Sequence, residues 1–159
     1  MSHASWISNL MTPSSLKEVG NWGAKIIDNK FPDVDYVVSV GLSGNLISPI
    51  VCMLTNKYPF VCRKSAEDTH SENTAEYKEV NKPNPTAVLI DDFISSGATI
   101  RYVYSILKEN NIELVGILLH YEGNDLVKVF LYKGGKEIPI EIMGNDKFNY
   151  SKEIYLQES

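Results

Sequence analysis

Apolar residues recur at Leu16, Val19, Trp22, Ile26 and Ile27, the spacing of one face of a helix. Thr12-Pro13-Ser14-Ser15 precedes them. Proline suits the first helical position, and Ser15 with Glu18 three residues on has the form of a capping box. This predicts a helix that ends near Asn29, before Phe31-Pro32. The pattern then changes to short continuous apolar runs rich in β-branched residues: Tyr36–Val40, Tyr58–Cys62, Ala87–Ile90 and Ile112–Leu119. Runs of that length and composition predict strands buried on both faces. An apolar helix, Leu46 to Asn56 with Pro49 in its first turn, and a second from Ile100 to Glu109 fall between them. Val127–Tyr132 and Ile138–Met143 suggest two more strands around a turn at Gly134-Gly135, and the tail from Asn145 is polar with scattered aromatics. Strands alternating with helices predict an α/β fold, a mostly parallel twisted sheet flanked by helices. One stretch breaks the rhythm. From Lys64 to Asn84, 21 residues carry little apolar pattern beyond a short strand at Ala75–Val80, which is long for a connection in a compact domain.

Composition narrows the picture. A chain of 159 residues has room for one domain of ordinary size. No apolar stretch approaches the ~20 residues of a membrane span, and Met1–Leu10 lacks the basic start and apolar run of a secretion signal. The expectation is a cytoplasmic protein without membrane contact. A net charge of −5 argues against nucleic acid as a partner. An anionic ligand would need a few well-placed groups or a metal ion. Cys52 and Cys62 have neither zinc spacing nor a disulfide framework, and are expected to be small buried apolar residues.

In open parallel sheets, ligands bind at the carboxyl ends of the strands. Three unusual segments fall there: Gly41-Leu42-Ser43-Gly44-Asn45 after the first strand, Arg63-Lys64 after the second, and Asp91-Asp92 followed by Ser95-Ser96-Gly97-Ala98-Thr99 after the third. Two adjacent carboxylates closing a four-residue apolar strand are costly without a partner, such as sugar hydroxyls or a metal-bound ligand. Successive N–H groups in a glycine-containing turn make a concave anion site, and the helix that follows adds its positive end. Acids for a diol beside N–H groups for a phosphate suit a ribose 5-phosphate. Arg63 and Arg101 are the two arginines of the chain, and a guanidinium fork suits phosphate.

The thirteen residues Ala87-Val88-Leu89-Ile90-Asp91-Asp92-Phe93-Ile94-Ser95-Ser96-Gly97-Ala98-Thr99 resemble the phosphoribosyl-pyrophosphate (PRPP) signature of the type I phosphoribosyltransferases, with Phe93 where a smaller aliphatic is usual. The resemblance implies transfer of ribose 5-phosphate from PRPP to a nucleobase, most simply a purine in nucleotide salvage, with release of pyrophosphate through an oxocarbenium-like transition state. It implies that Ser95, Ser96, Gly97, Ala98 and Thr99 bind the 5-phosphate, and that Gly41, Leu42, Ser43, Gly44, Arg63 and Lys64 bind pyrophosphate. Asp91 and Asp92 would act on the ribose and on magnesium, the implied cofactor, mostly through water and PRPP. It further implies a single domain over residues 1–159, with a core at about 12–120, a mobile loop at 64–84 and a hood and C-terminal segment at about 121–159. His120, Tyr121 and Phe148 are the candidate base contacts, and family members usually form homodimers.

The loop departs from the family pattern. Glu67-Asp68-Thr69-His70 stands where related chains carry a lysine, so His70 is the candidate catalytic cation. The five acids Glu67, Asp68, Glu72, Glu76 and Glu79 outnumber Lys64, Lys78 and Lys82 in that segment. This keeps open an alternative, a PRPP- or nucleotide-binding regulatory module with little or no catalysis.

Overall fold

The computed structural model describes residues 3–64, 74–121, 127–144 and 152–158. A helix α1 (His3–Leu10) leads to α2 (Pro13–Lys30). Strand β1 (Tyr36–Val40) passes directly into α3 (Gly41–Thr55), followed by β2 (Tyr58–Cys62) and β3 (Ala75–Tyr77). Next come β4 (Thr86–Asp91), α4 (Ala98–Glu109) and β5 (Glu113–Leu119). The chain finishes with β6 (Val127–Phe130), β7 (Glu137–Ile138), β8 (Ile140–Ile142) and β9 (Lys152–Tyr155).

Six strands form the main sheet in the order β3-β2-β1-β4-β5-β8. All its pairings are parallel except that of β3, which runs antiparallel along β2. Alternate residues of the central strands feed two separate cores. Tyr36, Val38, Leu89 and Ile117 meet α4 through Ile100, Val103 and Leu107. Val37, Val88, Ile90 and Leu118 meet α2 and α3 through Val19, Ile27, Ile47 and Val51. Burial on both faces explains why these strands are continuous apolar runs rather than alternating ones. The mostly parallel α/β sheet expected from the sequence is therefore observed.

Several local expectations are corrected. The helix expected from Leu46 begins at Gly41, because β1 turns into it without a loop. Pro49 consequently sits inside α3, not in its first turn. Thr12, not Ser15, caps α2: its hydroxyl accepts from Ser15 N at 3.2 Å, with Pro13 at the first helical position. The run Ile138–Met143 is not one strand. Pro139 interrupts it, leaving β7 in one sheet and β8 in the other. The tail contributes β9 to a second sheet of order β7-β6-β9, which packs Val127, Val129, Ile138 and Ile154 on the α4 side of the core. The 64–84 connection is shorter than it looks, since β3 pairs with β2 and Arg63 N donates to Thr74 O at 2.8 Å. Tyr36 Oη donates to Lys78 O at 2.7 Å and accepts from Val80 N at 3.0 Å, which ties down the chain beyond β3. Cys52 and Cys62 are buried as expected, and burial pushes their thiols up to about 11 and about 12.

Close helix packing places α3. A Cβ on Gly44 would lie 2.8 Å from the carbonyl oxygen of Ile90 and 3.1 Å from Ser39 Cβ. Backbone cannot yield there as a flexible side chain could. Gly44→Ala is expected to lower stability by about 1–3 kcal/mol, the usual penalty for overpacking a well-filled interior. Denaturant melts of the two proteins measure it.

Candidate active site

β1 and β4 lie side by side in parallel, Val38 opposite Leu89, so both deliver their carboxyl ends to one edge of the sheet. β1 delivers the start of α3 and β4 delivers Asp91. Gly41–Gly44 is thus the first turn of a helix and not a free loop. Its N-cap, Val40, offers no side-chain acceptor to the turn. Neither does Gly97, the N-cap of α4. Both helices therefore present first-turn N–H groups and the positive ends of their dipoles with no side-chain cap from the N-cap residue itself. Gly41 has φ +75° and Gly97 φ +90°, the left-handed region that glycine adopts without a steric penalty.

These two turns border one open cavity of about 630 Å³. Its wall contains Gly41, Leu42, Ser43, Lys64, the continuous run Asp91 to Ile100, Tyr102 and, from α1, Ile7. Lys64 lies over Gly41: a Cβ there would sit 3.3 Å from the lysine Nζ. An ammonium beside the positive end of a helix is unfavourable alone and favourable around an anion. Ser95, Ser96 and Thr99 are exposed at the cavity, and Ser96 Oγ accepts from Ala98 N at 3.3 Å.

Asp91 and Asp92 form the floor and are only 8% and 7% exposed. Asp91 Oδ1 accepts from Ser43 Oγ at 3.2 Å and from Asp92 N at 2.9 Å, while Asp92 Oδ1 accepts from Phe93 N at 2.7 Å. Burial, and then the neighbouring Asp92 charge, raise the Asp91 carboxyl to about 7. Those two hydrogen bonds work in the opposite direction. Among the described residues no group of three or more His, Cys, Asp and Glu side chains is placed to hold a metal ion. The donor set therefore does not form a protein cage. It fits a hard cation shared with ligand oxygens and water, because two adjacent carboxylates face a cavity bordered by two helix N-termini.

The structure separates the remaining sequence candidates. Arg63 is outside the cavity wall. Its Nη2 donates to Glu76 Oε1 at 2.9 Å, and its Nε is buried without a partner. Tyr102 Oη, from α4, donates to the Arg63 carbonyl. His120 is fully buried, between Trp6 of α1 and the Ser43 carbonyl. Tyr121 is half-buried, with its ring 5.7 Å from Trp6 and 5.8 Å from Phe93. His70 and Phe148 lie outside the described residues. Arg101 is exposed and lies outside the cavity wall. Its Nε donates to Tyr155 O at 2.9 Å and its Nη1 to Ser96 O at 3.3 Å.

Two parts of the site escaped the sequence reading. One is β9, whose Lys152 donates to Ser95 O and whose Ile154 packs against Gly97. With Arg101 it braces the turn at 95–97 from behind. Four residues alternate too briefly to announce a strand. The other is α1, where Trp6, Ile7 and Leu10 do have helical spacing, a signal present but short.

A family profile, the phosphoribosyl transferase domain, matches residues 7–148. The chain belongs to the phosphoribosyltransferase family. A curated adenine phosphoribosyltransferase of Mycoplasma capricolum is 30% identical over 97 residues, which is 54% of this chain and 57% of that relative. The match thus spans little more than half the length of that curated phosphoribosyltransferase. Among solved structures, the orotate phosphoribosyltransferase of Francisella tularensis superposes with a TM-score of 0.58 at 14% identity, covering 94% of this chain and 69% of that one. Adenine phosphoribosyl transferase of Trypanosoma brucei, solved with AMP, pyrophosphate and ribose-5-phosphate, superposes with a TM-score of 0.53 at 15% identity. It covers 73% of this chain and 53% of the other. At those identities the superpositions establish the phosphoribosyltransferase fold.

The raised Asp91 carboxyl makes a stability prediction. A group protonated more readily in the folded state contributes stability at low pH and loses it as pH rises through the folded value. For Asp91 the loss falls between about pH 4 and about 7. Asp91→Asn removes the charge and keeps an acceptor for Ser43. The variant is expected to melt several degrees above the wild type at pH 8 and at or below it at pH 4, by calorimetry without ligands. A wild type equally stable at both pH values relative to the variant would contradict the assignment.

Proposed function

We propose that this chain transfers ribose 5-phosphate from PRPP to a nucleobase, a purine in nucleotide salvage, and releases pyrophosphate. One observation supports this above the others: two helix N-termini, whose N-cap residues Val40 and Gly97 give no side-chain cap, and Lys64 border the same cavity as two buried acids. The shared lining suits a molecule that carries a phosphate, a diphosphate and a sugar between them.

In this reading the N–H groups and hydroxyls of Ser95–Thr99 hold the 5-phosphate at the start of α4. The first turn of α3, Gly41–Gly44, holds the pyrophosphate with Lys64 above it. Asp91 and Asp92 accept hydrogen bonds from the ribose hydroxyls, and their charge offsets the positive charge that develops on the sugar ring. Magnesium, where bound, would neutralise the diphosphate as a leaving group beside Asp91 and Asp92. The half-buried ring of Phe93, with Tyr121 against it, offers the base an aromatic surface, and Ile7 of α1 lines the same cavity. His70 is assigned the cationic role on the leaving group. Homodimer assembly in the cytoplasm completes the proposal, and sedimentation measures the assembly.

The ion pair of Arg63 with Glu76 favours a second reading, a module that binds PRPP or a nucleotide with little turnover. A panel of bases with magnesium and PRPP, scored for pyrophosphate, separates the two. Turnover with a purine supports the enzyme, and binding by calorimetry without turnover on any base supports the module. If the acids act on the sugar, Asp91→Asn combined with Asp92→Asn lowers kcat by about a hundredfold or more. An unchanged kcat would remove them from the mechanism.

A further inference from the structure

Behind the cavity, a buried imidazole joins the two ends of the chain's core. Trp6 Nε1 donates to His120 Nδ1 at 3.2 Å across 114 residues of sequence, and His120 Nε2 meets the Ser43 carbonyl at 3.3 Å. His120 has no exposed surface. An indole N–H only donates and a carbonyl only accepts, so Nδ1 is bare and the proton sits on Nε2. Ser43 is also the residue whose hydroxyl donates to Asp91 Oδ1, at 3.2 Å. A single residue in the first turn of α3 is thus held at its carbonyl by His120 and holds an acid with its side chain.

We propose that His120 is a positioning residue for the first turn of α3, kept in its Nε2–H tautomer by the indole of Trp6. The opposite tautomer would place a bare nitrogen lone pair against the Ser43 carbonyl oxygen. The turn would then lose a hydrogen bond and gain a repulsion inside a dry interior, where such errors are most costly. The effect is local. Ser43 belongs to α3, whereas the 95–99 turn is braced separately by Arg101 and Lys152. Seating α1 therefore sets the diphosphate half of the cavity without setting the 5-phosphate half. The inference rests on the PRPP reading only in naming the ligand of that turn.

Two measurements test it. Nitrogen-15 NMR of labelled histidine in the ligand-free protein is expected to show His120 as the neutral Nε2–H tautomer. In Trp6→Phe it is expected to show a tautomer mixture with a shifted Ser43 amide. Calorimetry with magnesium pyrophosphate and, separately, ribose 5-phosphate gives the second readout. Trp6→Phe and His120→Leu are expected to weaken pyrophosphate binding by about tenfold, the worth of one buried hydrogen bond, and to leave ribose 5-phosphate within twofold. His120→Gln, whose amide can still donate to the Ser43 carbonyl, is expected to recover most of the loss. The Nδ1–H tautomer in the wild type, an unmoved Ser43 amide in Trp6→Phe, or equal loss of both ligands would overturn the proposal. A wild type that binds neither ligand would instead overturn the PRPP reading, and the NMR result would still decide the Trp6–His120–Ser43 link.

Discussion

Two carboxylates side by side in a dry strand end repel each other and lack solvation, and the surroundings of Asp91 and Asp92 answer that problem. Ser43 and the backbone N–H of Asp92 direct donors at Asp91, and Phe93 N does the same for Asp92. The backbone of the next strand fixes the position of the pair, because His120 N and Tyr121 N donate to the carbonyls of Asp91 and Asp92. These contacts lessen the electrostatic cost without cancelling it, which is why the Asp91 carboxyl stays raised. A site that stores unfavourable charge in this way is poised for a ligand bringing hydroxyl donors or a cation.

The opposite sign of charge is concentrated in the same cavity. The first turns of α3 and α4 are positive ends, and Lys64 adds a full charge at one of them. A chain with a net charge of −5 therefore concentrates positive potential at this cavity through geometry rather than through excess lysine and arginine. Arg101, one of two arginines, is used on protein carbonyls instead.

The sequence made the main sheet legible because burial on both faces writes an unbroken apolar run, as in Ala87–Ile90. It made the acids and the small-residue turn legible because both lie in one continuous stretch. Other features were hidden for physical reasons. The start of α3 looked like a loop, since Gly41 and Gly44 have poor helix propensity. In fact Gly44 is there for contact with the Ile90 carbonyl. Ile138–Met143 looked like one strand, yet Pro139 lets the chain change sheets. Arg63 and His120 had the right chemistry at the right strand ends, but whether such side chains face a ligand or the protein depends on partners far away in sequence. Glu76 and Trp6 are those partners.

The bracing of the 95–97 turn by β9 also orders events in time. β9 pairs in parallel with β6, and its Lys152 and Tyr155 backbone supply the contacts to Ser95 and Arg101. During synthesis, the sheet from β1 to β5 can assemble while these residues are still inside the ribosome. The turn itself is then complete in sequence but lacks the strand behind it. A nascent chain can thus have the β1–β5 part of the sheet in place before the 95–97 turn has a strand behind it.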